Sequence, residues 1–254
     1  EGQPDRDPTL GTGGTFNTLI ASAMDSQNPL TSTSVYGNYP LNQIYTSLTG
    51  LNDPRDHSPN FDGGGLAYTW TINEEADGLR FDFTLQGADE AHPAAYWHDM
   101  GGAHDGMVTA EDVKFSYDYI VNYSIPGYIT AIPYYNRTVI TDDFHLSMYT
   151  NGKSYWAFDQ LRQWTLLPKH IWQGIISPTT FSNPLPIGCG PFSWYQRIEG
   201  EYVEMKFWEN YHRGLEGHIA GEIAAPDYLP IYLAVGVLVI VVVLLGSVWY
   251  LRKK

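Results

Sequence analysis

Apolar and polar residues alternate along 79–85, with Leu79, Phe81, Phe83 and Leu85 on one side and Arg80, Asp82 and Thr84 on the other. This period of two predicts a strand with one buried face. Residues 202–207 repeat the pattern through Val203, Met205 and Phe207, and 139–150 read as a hairpin turning at Asp142 and Asp143. The period lengthens after the polar turn Ala103-His104-Asp105-Gly106. Val113, Tyr117, Ile120 and Val121 recur at helical spacing, and Thr109 stands where an N-cap belongs, with Asp112 three residues on as its capping-box partner. Glu111 and Asp112 fall in the first turn, where the positive end of the helix dipole favours carboxylates. Phe158, Leu161 and Trp164 mark a second helix over 155–167, and 126–133 form a loop rich in proline and aromatic residues. Residues 13–20 read as a first strand after a glycine turn, stopped by the turn that ends at Pro29.

The pattern changes again at 231–250, an uncharged apolar run of the length needed to cross about 30 Å of hydrocarbon. Tyr228, Tyr232, Trp249 and Tyr250 bracket it as interfacial aromatics, and Arg252, Lys253 and Lys254 follow it. The positive-inside rule then puts the C-terminus in the cytoplasm and the N-terminal domain outside the cell membrane, as a single-pass protein. All 28 Asp and Glu precede Leu229, in a chain whose net charge is −14. Such a domain repels nucleic acid and anionic headgroups and tolerates neutral or cationic ligands. Cys189 is the only cysteine, so no intrachain disulfide is available, and a small buried thiol is expected. Asn122-Tyr-Ser and Asn136-Arg-Thr are glycosylation triplets, candidates for modification outside the cell and otherwise loop asparagines.

Three imidazoles, His92, His98 and His104, lie near Asp99 and Asp105, and could ligate a divalent ion. Their spacing matches no closed metal motif, so a solvated loop is the other reading. No HExxH, GxSxG or Walker-type segment is present, which argues against an enzyme, and no cofactor is implied.

The segment His104-Asp105-Gly106 through Thr109-Ala110-Glu111-Asp112-Val113 resembles the W-x-D-G-x-x-[VF]-T-A-x-D-V pattern of the extracytoplasmic solute-binding proteins of peptide and nickel ABC importers, the oligopeptide-binding family. Further motifs follow in family order: Asn28-Pro29-Leu30, Ile44 to Leu48, Leu66-Ala67 with Trp70, Leu167-Pro168-Lys169-His170, Ile187-Gly188-Cys189-Gly190-Pro191-Phe192, and Asn210-Tyr211 with Gly214. The resemblance implies a mixed α+β fold, that is, α/β lobes of the periplasmic-binding type built on a mixed sheet. It also implies a solute-binding ectodomain over 13–214, with a first lobe from 13–50 and 180–214 and a second from 51–179. A leader at 1–12, a linker at 215–228, a transmembrane helix at 229–251 and a basic tail at 252–254 complete the expected division. Family members continue after the last motif into a lobe that closes over the ligand, whereas here the apolar run follows, so an open groove is expected.

By analogy, ligand-facing residues are Thr33, Ser34, Val35, Tyr36 and the neighbourhood of Tyr128. The implied partners are an ABC permease or other membrane-protein subunits, the membrane itself, and a peptide or other small solute. Two functions fit: a membrane-anchored binding component that delivers solute to the permease, or the same fold kept as an accessory or scaffold subunit of a larger membrane complex.

Overall fold

The structure, a computed structural model, describes residues 21–49, 65–100 and 106–212. The expected strand at 13–20, His104, Asp105 and the apolar run at 231–250 lie outside them. Among the described residues no helix is long and apolar enough to cross a membrane.

After helix α1 (Val35–Ile44), strands β1 (Ala67–Glu74) and β2 (Leu79–Leu85) form a hairpin. Helix α2 (Ala110–Asn122) and two 3-10 turns lead to β3 (Tyr135–Asp142) and β4 (His145–Thr150), then to the short helices α3 (Trp156–Leu161) and α4 (Lys169–Trp172) and the hairpin β5 (Phe192–Ile198) and β6 (Tyr202–Phe207). The first four strands make one sheet in the order β1-β2-β4-β3, and β5 pairs with β6 in a second. Among the described residues every ladder between these strands is antiparallel, and the isolated bridge Gly78↔Gly152 is parallel. A mixed sheet was the expectation; β1–β2 and β3–β4 are joined by tight turns, which only antiparallel neighbours allow, while β2 and β4 pair antiparallel across a long connection that does not itself require it.

Alternation in β2 is realised in full: Leu79, Phe81, Phe83 and Leu85 are buried, and the residues between them are half-exposed. Beneath this face Phe158 of α3 meets Trp70, Phe81 and Phe83, with ring centroids 5.7, 5.3 and 6.4 Å away. Helix α2 starts where the sequence places it. The Asp112 carboxylate accepts the Thr109 backbone N–H at 3.1 Å in a capping box. Val113, Tyr117 and Ile120 are fully buried, but the helix is also held on a second side by polar groups. Tyr117 and Tyr119 hydroxyls donate to the carbonyls of Leu161 and Ile175 at 2.6 Å, and the Leu167 N–H donates to Ser116 Oγ at 2.8 Å.

Helix α3 stops at Leu161, short of the expected 167. Thr165 bridges to Ser47, and the Leu166 N–H donates to Thr46 O at 3.0 Å, so this backbone is committed to the distant segment after α1 and cannot stay helical. Trp164 is buried all the same, stacked 4.9 Å from Tyr117. A smaller core joins Met24, Leu41, Ile44 and Tyr45 to Trp194, Val203 and Met205, seating α1 on the β5–β6 hairpin.

Candidate functional site

The stretch expected to face a ligand is the N-terminus of α1. Ser34 is its N-cap, and its hydroxyl accepts the Tyr36 N–H at 3.2 Å. The free donors just ahead of the helix are already taken. The Asp25 carboxylate accepts the Thr33 N–H at 2.8 Å, the Ser34 N–H at 3.0 Å and the Ser32 hydroxyl at 2.8 Å. Gly37 permits this approach, since a Cβ there would sit 2.1 Å from Asp25 Oδ1. Burial by itself would raise the Asp25 pKa, but the donors from Thr33, Ser32 and Ser34 outweigh it and hold the carboxyl below its ordinary range. Thr33 and Ser34 therefore serve an internal carboxylate. Val35 and Tyr39, one turn apart, are exposed, and Tyr36 is half-buried.

Tyr128 lies elsewhere in the packing. It closes the first 3-10 turn (Pro126–Tyr128), sits 5.4 Å edge-on from Trp164 and hydrogen-bonds Thr165, and burial raises its pKa. It belongs with the main core, whereas α1 belongs with the smaller one.

Sequence reasoning missed a junction of long-range polar contacts. The Asn28 side chain, fully buried, donates to the carbonyls of Pro178 and Phe181 at 2.7 and 2.8 Å and accepts the Leu30 N–H at 2.9 Å. Asn183, in the left-handed region at φ 50°, returns the contact through Nδ2 to Gln27 O and to the Tyr45 hydroxyl. Next to it, 187–190 passes under the end of α1. The Gly190 N–H donates to Ile44 O at 2.8 Å, and a Cβ on Gly188 would lie 2.0 Å from that same oxygen. His98 holds the far side: Nε2 donates to Gly190 O at 3.0 Å and Nδ1 faces the Gly188 N–H at 3.4 Å. Burial, opposed only in part by the bond to Gly190, pushes the imidazole pKa down to about 4, so the ring is neutral. The Asn-Pro and Gly-x-Gly motifs were legible, but the partner each side chain would find was not.

Of the three histidines, His92 and His98 lie among the described residues, and each is engaged elsewhere. Both His98 nitrogens face the 188–190 backbone, while His92 Nδ1 pairs with Asp89 at 2.8 Å and its ring stacks 3.6 Å from Tyr68. Among the described residues no group of three potential ligands forms. Two open hollows lie among the described residues. One, of about 410 Å³, lies at the start of α2 between Trp97, Met107, Lys169 and His170; Lys169 is paired with Glu111, and His170 Nε2 lies 3.0 Å from Asp99 beside it. The other, of about 370 Å³, lies on the polar face of the four-stranded sheet around Thr71, Asp82 and Ser147. Asn122 and Asn136 are both exposed.

No family model and no curated protein matches the sequence. Solved structures do. The chain superposes on NikZ of Campylobacter jejuni, in complex with Ni(L-His), with a TM-score of 0.57 and 26% identity over 75% of this chain and 35% of that one. It matches the oligopeptide-binding protein AppA of Bacillus subtilis, in complex with a nonapeptide, with a TM-score of 0.52 and 23% identity over 74% of this chain and 35% of that one. The ABC transporter substrate-binding protein CtaP of Listeria monocytogenes gives a TM-score of 0.56 and 21% identity over 77% and 37%. The fold is thus the mixed α+β fold of periplasmic-binding-protein lobes, and the proteins it resembles are binding proteins, not enzymes. The chain spans about a third of their length.

Proposed function

We propose that this chain is an extracytoplasmic solute-binding component working with an ABC permease, held on the outer face of the membrane by the apolar run at 229–251. The observation that carries the reading is the superposition of three quarters of the chain on NikZ. The bound species in NikZ and AppA, a nickel–histidine complex and a nonapeptide, indicate a peptide-like or amino-acid-derived solute. The net charge of −14 favours a neutral or cationic one. The C-terminal Arg252-Lys253-Lys254 supports a cytoplasmic tail.

The test is thermal denaturation of the full chain in detergent against a series of short peptides and nickel–histidine. A ligand at a hundred times its Kd stabilises by about 2.7 kcal/mol, a shift of several degrees. No shift with any of them, together with the absence of co-purified small molecules in native mass spectra, refutes the reading.

One observation favours the second function, an accessory subunit of a membrane complex. The donors at the α1 N-terminus are taken by Asp25, and Lys169 and His170 of the α2 hollow are engaged by Glu111 and Asp99. On that reading no solute is retained, and the chain is recovered from mild detergent in stoichiometric association with other membrane subunits.

A further inference from the structure

The two Asn-x-Ser/Thr triplets of the sequence fall fourteen residues apart, from Asn122 to Asn136, in a chain of 254. The fold brings them to one edge. Asn122 is the last residue of α2, and Asn136 is the second residue of β3, an outer strand of the four-stranded sheet. Helix α2 packs on β3, and the Tyr135 hydroxyl donates to the Asp118 carboxylate at 2.8 Å, tying the final turn of the helix to the residue before Asn136. At a rise of 1.5 Å per residue, Asn122 stands about 6 Å beyond Asp118 along the axis. Both asparagine side chains are exposed.

We propose that this edge is N-glycosylated, with Asn122 and Asn136 as the acceptors. The proposal rests on the extracytoplasmic placement put forward above. Its chemistry is a group transfer: the acceptor Nδ2 forms a bond to the anomeric carbon of an oligosaccharide carried on a polyprenyl phosphate or diphosphate. The bond from that carbon to the phosphate oxygen breaks, the lipid phosphate leaves, and Nδ2 gives up one proton; nothing is oxidised or reduced.

The folded chain leaves room for a sugar on Asn136. The pairing of β3 with β4 steps from Tyr135↔Thr150 to Arg137↔Tyr149 and passes over Asn136, while Tyr135 O is taken by Asn151 Nδ2 at 2.9 Å. Asn136 is therefore a bulge residue, directed away from the ladder. The two triplets differ in when they can react. Thr138 is only 4% exposed, and its hydroxyl lies 3.1 Å from the Tyr135 hydroxyl, so the Asn136 triplet is withdrawn once β3 forms. Transfer to Asn136 precedes folding. Ser124 is exposed in the left-handed region at φ 47°, beyond the helix end, so the Asn122 triplet stays accessible afterwards. A sugar at Asn136 also shields the outer side of β3, which among the described residues pairs only with β4.

The experiment takes the full chain from its native membranes and weighs the proteolytic peptides that contain each asparagine. Both are expected to exceed their sequence mass by whole sugar residues, and N122Q and N136Q are each expected to lose the increment on their own peptide while the circular dichroism spectrum is unchanged. An unmodified peptide overturns the proposal for its asparagine. Protease treatment of intact cells separates the two claims. Unmodified acceptors on a domain that the protease removes overturn the glycan alone, and unmodified acceptors on a protected domain overturn the placement as well.

Discussion

Protonation of His98 is expected to loosen the junction under α1, and the size of the effect can be worked from its surroundings. The ring is largely buried against Trp208, with centroids 5.3 Å apart, and is used in its neutral form by Gly190 and Gly188. A proton added at Nδ1 would point at the Gly188 N–H, two donors facing each other. In the unfolded chain the imidazole takes its proton near pH 6.5, and in the fold only near about 4. Between those values the unfolded state binds more protons, so stability is full above pH 6.5 and falls as the pH drops towards 4. At about 1.4 kcal/mol for each tenfold change in proton affinity, with an allowance for the part of the ring that meets water, the loss by pH 4.5 is about 2 to 3 kcal/mol. The assay is urea denaturation of the full chain in detergent, followed by tryptophan fluorescence at pH 7.5, 5.5 and 4.5, for wild type and H98Q. Glutamine can still donate to Gly190 O but does not titrate. H98Q is expected to start about 1 kcal/mol lower at pH 7.5 and to show a slope shallower by the His98 contribution. Equal slopes in the two proteins would refute the account of a buried, neutral clamp.

The remaining predictions concern the same framework. G188A places a Cβ 2.0 Å from Ile44 O, a backbone atom that cannot step aside, so it should cost more than about 3 kcal/mol and leave no cooperative urea transition. D112A strands the Thr109 N–H and the Lys169 N–H together with the Trp97 indole, and should lower the urea-derived stability by about 2 to 3 kcal/mol. D25N keeps the shape at the α1 N-terminus without the charge. The depressed pKa of Asp25 supplies stability above pH 3.8 that is lost as pH falls through the folded value, so the wild-type advantage over D25N in melting temperature should vanish in acid. Cys189 is buried, and burial pushes its thiol pKa up, so iodoacetamide should label it only after denaturation, as read by intact mass.

What could be read from the sequence was whatever depends on near neighbours. The period of two in Leu79, Phe81, Phe83 and Leu85, and the capped start at Thr109, need only the residues around them, and both stand in the structure as expected. The reading failed where a distant partner decides. Residues 162–167 carry a helical apolar pattern, yet Thr46 and Ser47 draw their backbone into a bridge. Thr33 and Ser34 look like free polar groups beside a helix, but Asp25 folds back over them. His98 looks like one of three metal ligands, but the glycine loop ninety residues later claims its ring. Such pairings depend on which surfaces the fold brings together, and the residue types alone do not encode them. Similarity of motifs to a known family carried the fold further than periodicity did, because it preserves the order of elements that such distant pairings join.

The contacts of Asn28 with Pro178 and Phe181 impose an order on synthesis. Helix α1 leaves the ribosome early, but the β5–β6 hairpin that covers Leu41 and Ile44 is complete only at Phe207. At 5–20 residues per second, the wait is about 10 to 30 seconds. Meanwhile the intervening sheet, whose contacts are mostly its own, can fold on the emerging chain. Helix α1, the first among the described elements, is therefore the last of them to be covered, and a nascent chain halted before residue 190 presents its apolar side, Leu41 and Ile44, for which chaperones and proteases compete.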